Sequence, residues 1–170
     1  AVILKWERFK LSVLQDIDDS KKITAAKRQR LFKLLPYYAF IGVGITNVSE
    51  IDEKNILMAS MIAMTRAVAD LPKEPDYVFV DGNRLPELSC PGEFVIKGDS
   101  RSFSIAAASI VAKVTRDNIM TKLAKDYPGY GWERNAGYGT PEHKKALARF
   151  GVTSHHRKTF APIIKILNKS

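Results

Sequence analysis

The chain has 170 residues, 45% of them apolar, and 27 Lys and Arg against 18 Asp and Glu, for a net charge of +9. That is the size of one domain with a real core, and the single cysteine, Cys90, excludes an internal disulfide and a cysteine-cluster zinc site. With no run of 18 apolar residues and no signal-peptide pattern in these residues, a soluble, cytoplasmic protein without a membrane span is expected. Basic charge gathers at the two ends: residues 1–40 hold 9 basic and 4 acidic groups, 41–90 hold 4 and 8, and 91–170 hold 14 and 6. A polyanionic partner, most simply nucleic acid, suits that distribution.

In chain order, "AVILKW" at residues 1–6 is a strand-like run that reads as cut into rather than begun. Thr24 is an N-cap for a helix with Lys27, Arg28 and Arg30 on its exposed face, Leu31, Leu34 and Leu35 inward, and Pro36 as its stop. "YAFIGVGIT" alternates as a strand whose Gly42 and Gly44 admit a neighbouring backbone. Ser49 and Asp52 form a capping pair ahead of a helix with a core-facing stripe of Leu57, Met61, Met64, Val68 and Leu71. "DYVFVD" and "EFVIKGD" are two short strands, each ending in an aspartate. A helix of some twenty residues follows, with Ala106 to Ser109 small enough for close packing on a sheet. An aromatic, glycine-rich loop from Tyr127 to Tyr138 leads to Thr140 and Pro141, the N-cap and first residue of a short helix, and then to a basic tail. Strands alternating with helices predict an α/β or mixed domain over 1–170, with a sheet-and-helix core at 1–126 and the aromatic loop, short helix and tail at 127–170.

Two apolar strands thus deliver Asp81 and Asp99 at the end of the sheet where ligands of open α/β folds gather. Two carboxylates there repel unless a cation sits between them, and a hard ion such as Mg²⁺ takes carboxylate oxygens while keeping sites for water and phosphate. In a basic chain the pair suggests metal-assisted phosphodiester chemistry, which needs no Ser, His or Cys nucleophile. The competing assignment makes Asp81 a turn residue before Gly82 and Asn83, and Asp99 a helix cap. His143, His155 and His156 show no metal-ligand spacing and read as surface or cap residues. No dinucleotide fingerprint or P-loop occurs.

The segments "DSKKIT" (19–24), "IDEKNILMAS" (51–60), "VDGN" (80–83), "KGDSRSFSIAAASIVAKVTRD" (97–117), "YPGYGW" (127–132) and "GYGTPEH" (137–143) together resemble bacterial ribonuclease HII. The resemblance implies an RNase H-like fold, a mixed sheet flanked by helices with a helical C-terminal part. It implies Mg²⁺- or Mn²⁺-dependent hydrolysis of RNA in RNA/DNA hybrids and incision of duplex DNA 5′ of embedded ribonucleotides, leaving a 3′-hydroxyl and a 5′-phosphate. Of the family's four catalytic acids, the third falls on Asp81 and the fourth on Asp99. Lys21 and Lys22 fall on its phosphate-contacting segment, Asn55 in a motif that assists there, and Tyr138 on its junction-sensing tyrosine. The first two acids belong to a D-E-x-G-R-G motif on a central first strand, and no such motif occurs in the 170 residues. From this the sequence reads as a monomeric, inactive fragment of an intact enzyme. The alternatives are a non-catalytic nucleic-acid-binding module, or another RNase H-like nuclease acting on junction DNA.

Overall fold

Helix α2 (Ala25–Tyr38) begins where its cap residue places it: Thr24 Oγ1 accepts the Lys27 N–H at 3.2 Å. It does not stop at Pro36, which lies inside the helix two residues before its end. A proline in the last turn forfeits a single intrahelical hydrogen bond, so the helix tolerates it there. The basic face is also less free than its pattern suggests, because Lys27 and Arg30 both pair with Asp16.

The computed structural model describes residues 1–18 and 20–168. Its elements run β1 (Val2–Leu4), α1 (Leu11–Leu14), α2, β2 (Ala39–Ile41), α3 (Val48–Ala69), β3 (Val78–Asp81), β4 (Gly92–Val95), α4 (Phe103–Asp126), α5 (Trp132–Asn135), α6 (Pro141–Phe150) and α7 (Ala161–Leu167). The chain divides into two compact units. Unit 1 comprises Ala1–Thr46 and Leu57–Val114, and unit 2 comprises Asn47–Ile56 and Thr115–Ser170.

In unit 1, β1 pairs antiparallel with β2, Val2 opposite Ile41 and Leu4 opposite Ala39. β3 pairs parallel with β4, Val78 opposite Gly92 and Asp81 opposite Val95. The two pairs share no strand, so the single mixed sheet implied by the resemblance is, among the described residues, two ribbons of opposite type. The strand expected over residues 38–46 is also shorter, ending at Ile41. Gly42 and Gly44 serve as expected: a Cβ at Gly42 would stand 2.8 Å from Leu71 N, and one at Gly44 2.5 Å from Ala67 N. That close approach explains which residues α3 buries. Ala59 and Ala67 are buried, whereas Met61, Met64, Val68 and Leu71 of the expected stripe are only half-buried and Leu57 is exposed. A helix backbone pressed against glycines has room for alanine between them.

The core of unit 1 joins α2 and α4 through Leu31, Leu35, Ala106, Ala107, Ile110 and Val111, with Leu4 and Ala39 from the antiparallel pair. Of the small residues expected to pack closely, Ala106 and Ala107 are buried, while Ala108 and Ser109 are half-buried. Leu31 is 0% exposed. Leu31→Ala is expected to cost about 2–5 kcal/mol, through lost burial and the cavity left behind. Equilibrium urea unfolding should show this as a lower midpoint with the slope unchanged.

In unit 2, the expected Ser49–Asp52 cap is replaced by one two residues earlier. Asn47 Oδ1 accepts from Glu50 N at 2.9 Å and Ser49 Oγ at 2.6 Å, while Glu50 Oε2 accepts the Asn47 N–H at 2.8 Å. This reciprocal Asn-x-x-Glu arrangement satisfies two donors of the first turn and leaves Asp52 for other work. Asp52 accepts from Lys158 N at 2.8 Å, Thr159 N at 3.0 Å and Thr159 Oγ1 at 2.6 Å, tying the basic tail down. The core of this unit gathers Tyr130, Trp132, Ala146, Leu147 and Ile163. Among the described residues no helix is long and apolar enough to cross a membrane.

Candidate functional site

Asp81 closes β3, and Gly82 at φ 122 takes the chain off the strand in a conformation that L side chains rarely adopt. The turn expected from Asp-Gly-Asn is therefore present, yet the carboxylate is not spent on it. Asp81 Oδ1 accepts the Gly98 N–H at 2.8 Å, which brings the end of β3 onto the segment that follows β4. Asp99 is not at a strand end. Its strand stops at Val95, Lys97 turns left-handed at φ 55, and Asp99 sits in the 3₁₀ turn Gly98–Ser100 ahead of α4. The backbone of that turn is closed by Arg101 N and Ser102 N donating to Gly98 O at 3.0 and 2.9 Å. Asp81 and Asp99 are thus linked through Gly98, the direct sequence neighbour of Asp99.

The Asp99 side chain is 11% exposed, and the Lys21 ammonium stands 3.9 Å from its Oδ2. Lys21 and Lys22 share one exposed turn. Arg28 clamps that turn from α2, donating from Nε to Ser20 O at 2.8 Å and from a terminal nitrogen to Ile23 O at 3.1 Å. Asp19, which opens the DSKK segment, lies outside the described residues. A pocket of about 120 Å³ lies beside Asp99, lined also by Ile17, Asp18, Ser100, Arg101 and Ser102. Asp18 in this lining was not singled out from sequence; its only signal was its place next to the basic segment. Among the described residues no group of three or more His, Cys, Asp or Glu forms a metal cluster.

The other two candidates belong to unit 2. Asn55 interrupts α3 with φ 67 and ψ 164, a backbone region costly for any residue but glycine. Tyr138 is 59% exposed, and the Arg116 guanidinium lies 5.9 Å from its ring centroid. Arg116 also donates to Ala136 O at 3.0 Å, so α4 supports the loop that presents the tyrosine. The expectation that the histidines are surface or cap residues is wrong for two of three. His143 and His156 are buried, 4% and 7% exposed, against Trp132 and Tyr130, while His155 is exposed. Nothing periodic marks the loop that carries His156, so sequence pattern alone did not reveal its burial.

The family model for ribonuclease HII matches residues 1–163. The chain belongs to the ribonuclease HII family. It is 55% identical to ribonuclease HII of Ruegeria pomeroyi over 157 residues, 92% of this chain and 67% of that protein. With ribonuclease HII of Rhodospirillum rubrum it shares 54% identity over 172 aligned positions, 100% of this chain and 79% of that protein. Among solved structures, ribonuclease H2 of Pyrococcus horikoshii superposes with a TM-score of 0.77 at 24% identity, over 98% of this chain and 87% of that one. A ribonuclease HII chain solved as the PCNA:RNase HII complex of Archaeoglobus fulgidus gives 0.69 at 19% identity, over 94% and 84%. The RNase H-like fold and the class of the enzyme, a type 2 ribonuclease H, follow from this family membership.

Proposed function

We propose that this ribonuclease HII chain serves hydrolysis of the RNA strand in RNA/DNA hybrids and incision of duplex DNA 5′ of embedded ribonucleotides. The observation that carries the assignment is the hydrogen bond from Gly98 N to Asp81, which brings Asp81 to the residue next to Asp99, with Lys21 drawn to the Asp99 carboxylate. Asp81 and Asp99 hold Mg²⁺ or Mn²⁺. The donor chemistry fits, because such ions bind through one or two carboxylates and keep their other positions for water and phosphate. A divalent ion held by these carboxylates would supply water activation and charge neutralisation.

The chain's own residues orient the nucleic acid. Lys21 and Lys22, on an exposed turn clamped by Arg28, neutralise backbone phosphates. Asn55, held in a strained conformation, lends a polar side chain to nucleic-acid contact. Tyr138, exposed and backed by a guanidinium, stacks at the step from ribose to deoxyribose. Reading the 2′-hydroxyl at that step separates this enzyme from a plain deoxyribonuclease. A single cysteine and a basic charge balance suit work on nucleic acid in the reducing bacterial cytoplasm.

A two-ion site needs more carboxylates than these two, and the D-E-x-G-R-G motif that supplies them in the family is not among the 170 residues. The 170-residue polypeptide by itself is therefore expected to bind hybrid duplexes in a salt-dependent manner and to cleave them little or not at all. A gel assay on a DNA duplex with one ribonucleotide checks this, and rapid Mg²⁺-dependent incision by the isolated chain would overturn it.

A further inference from the structure

Unit 2 contains a buried imidazole pair whose protonation is fully determined by its surroundings. His156 Nδ1 accepts the Thr153 N–H at 3.0 Å, and because a backbone amide can only donate, that nitrogen carries no proton. The neutral ring must then carry its proton on Nε2, which lies 3.1 Å from His143 Nε2. His143 Nε2 is consequently an acceptor, and the Trp132 indole N–H, 3.5 Å away, points to it as well. The proton of His143 is left on Nδ1, a buried atom with no hydrogen-bond partner among the described residues.

A further proton is disfavoured at either site. Added to His143 Nε2 it would set two N–H groups head to head, and added to His156 Nδ1 it would face the Thr153 amide, with only the Thr153 hydroxyl, 2.9 Å away, to accept it. The titratable groups facing the pair are Tyr130, from the loop before α5, and His155, from the loop after α6. Trp132 of α5 carries no titratable group, and Glu142, the sequence neighbour of His143, is exposed and paired with Arg134. Burial pushes both rings below the ordinary histidine value, His156 to about 4, with the neighbouring His143 and His155 adding to the effect there.

The pair is coupled to the candidate junction reader through short links. His143 is the residue whose N–H the Thr140 cap accepts, at 3.2 Å, and Thr140 N donates to Tyr138 O at 2.8 Å. On the other side Tyr138 N donates to Asn135 O at 2.8 Å, and Asn135 Nδ2 donates to Tyr130 O, also 2.8 Å, beside the same rings. We propose that His143 and His156 form a latch that holds only while both rings are neutral and that positions the Tyr138 loop. They are positioning residues, and the proposal rests on Tyr138 reading the ribonucleotide step. The sign of the pH dependence follows. Unfolded histidines take their proton near about 6.5, the latched rings only lower, so the latch stabilises unit 2 above that range and is lost as pH falls towards about 4.

Long-range ¹H–¹⁵N spectra of the isotope-labelled chain, recorded from pH 8 down to 4.5, test the latch directly. Expected are the Nε2–H form of His156, the Nδ1–H form of His143, and Tyr138 signals that move only when the pair begins to protonate. A different tautomer, or either buried ring titrating at the ordinary histidine value, overturns the proposal. Fluorescence anisotropy at pH 7.5 supplies the second arm, comparing a DNA duplex holding one ribonucleotide with the all-DNA duplex. His156→Ala, with folding checked by circular dichroism, should lose about fivefold or more of that preference, as Tyr138→Ala does. If Tyr138→Ala leaves the preference intact, its assignment as reader fails while the tautomers still stand. If Tyr138→Ala removes it and folded His156→Ala keeps it, the latch fails alone.

Discussion

Asp81→Asn, in a chain that also carries a D-E-x-G-R-G strand ahead of this sequence, is expected to lower kcat roughly a thousandfold or more while leaving the fold intact. The magnitude follows from what preorganised charge at a reacting phosphate contributes, since loss of one such group costs roughly 10²–10³ and a metal ligand stands at the upper end. Preservation of the fold follows from the local geometry. The hydrogen bond that Asp81 makes in the structure is accepted from Gly98 N at 2.8 Å, and an asparagine carbonyl oxygen can accept it equally well. What the substitution removes is negative charge, so cation affinity falls and the turn before α4 stays in place. Single-turnover cleavage with a Mg²⁺ titration checks both parts. A rate within a few-fold of the unsubstituted chain at every Mg²⁺ concentration would remove Asp81 from the metal site.

Tyr138→Ala is expected to erase discrimination between a ribonucleotide-bearing duplex and plain DNA by roughly 5- to 150-fold, the range that base-aromatic stacking covers. The ring is exposed and rests against Arg116, so its loss leaves no cavity and should barely change stability. Cleavage of a uniform RNA/DNA hybrid should suffer less, because the phosphate contacts proposed for Lys21 and Lys22 would not depend on the ring. Competition between the two substrates in one tube measures the ratio. Equal losses on both would make Tyr138 a general binding residue and not a reader of the junction.

Much of this architecture was legible from local chemistry. Thr24 and Thr140 cap the helices they precede, and Ala106 and Ala107 lie against the core as their size predicts. The Gly42 and Gly44 pair admits a helix backbone, as an alternating strand with glycines on one face suggests. The departures each have a physical origin. Asp99 lies beyond its strand because Lys97 takes a left-handed conformation that lysine does not advertise. Asn47 and Glu50 outcompete Ser49 and Asp52 because a reciprocal pair satisfies two orphan amides, which freed Asp52 for a contact 106 residues away. His156 lies in a loop with no hydrophobic period, so only tertiary packing reveals its burial, whereas His143 shares the buried face of α6 with Ala146 and Leu147 at helical spacing. Asp81 illustrates both sides, since the turn at Gly82 was readable from three residues and its link to Gly98 required the fold.

The most direct measurement is Mn²⁺ titration of the ¹⁵N-labelled chain, followed by paramagnetic broadening of its amide signals. The expected result is early, selective loss of the Asp81, Gly98 and Asp99 signals, suppressed by Asp81→Asn and by Asp99→Asn. Broadening centred elsewhere, or unchanged by both substitutions, would contradict the assignment of these two carboxylates as the metal ligands of the site.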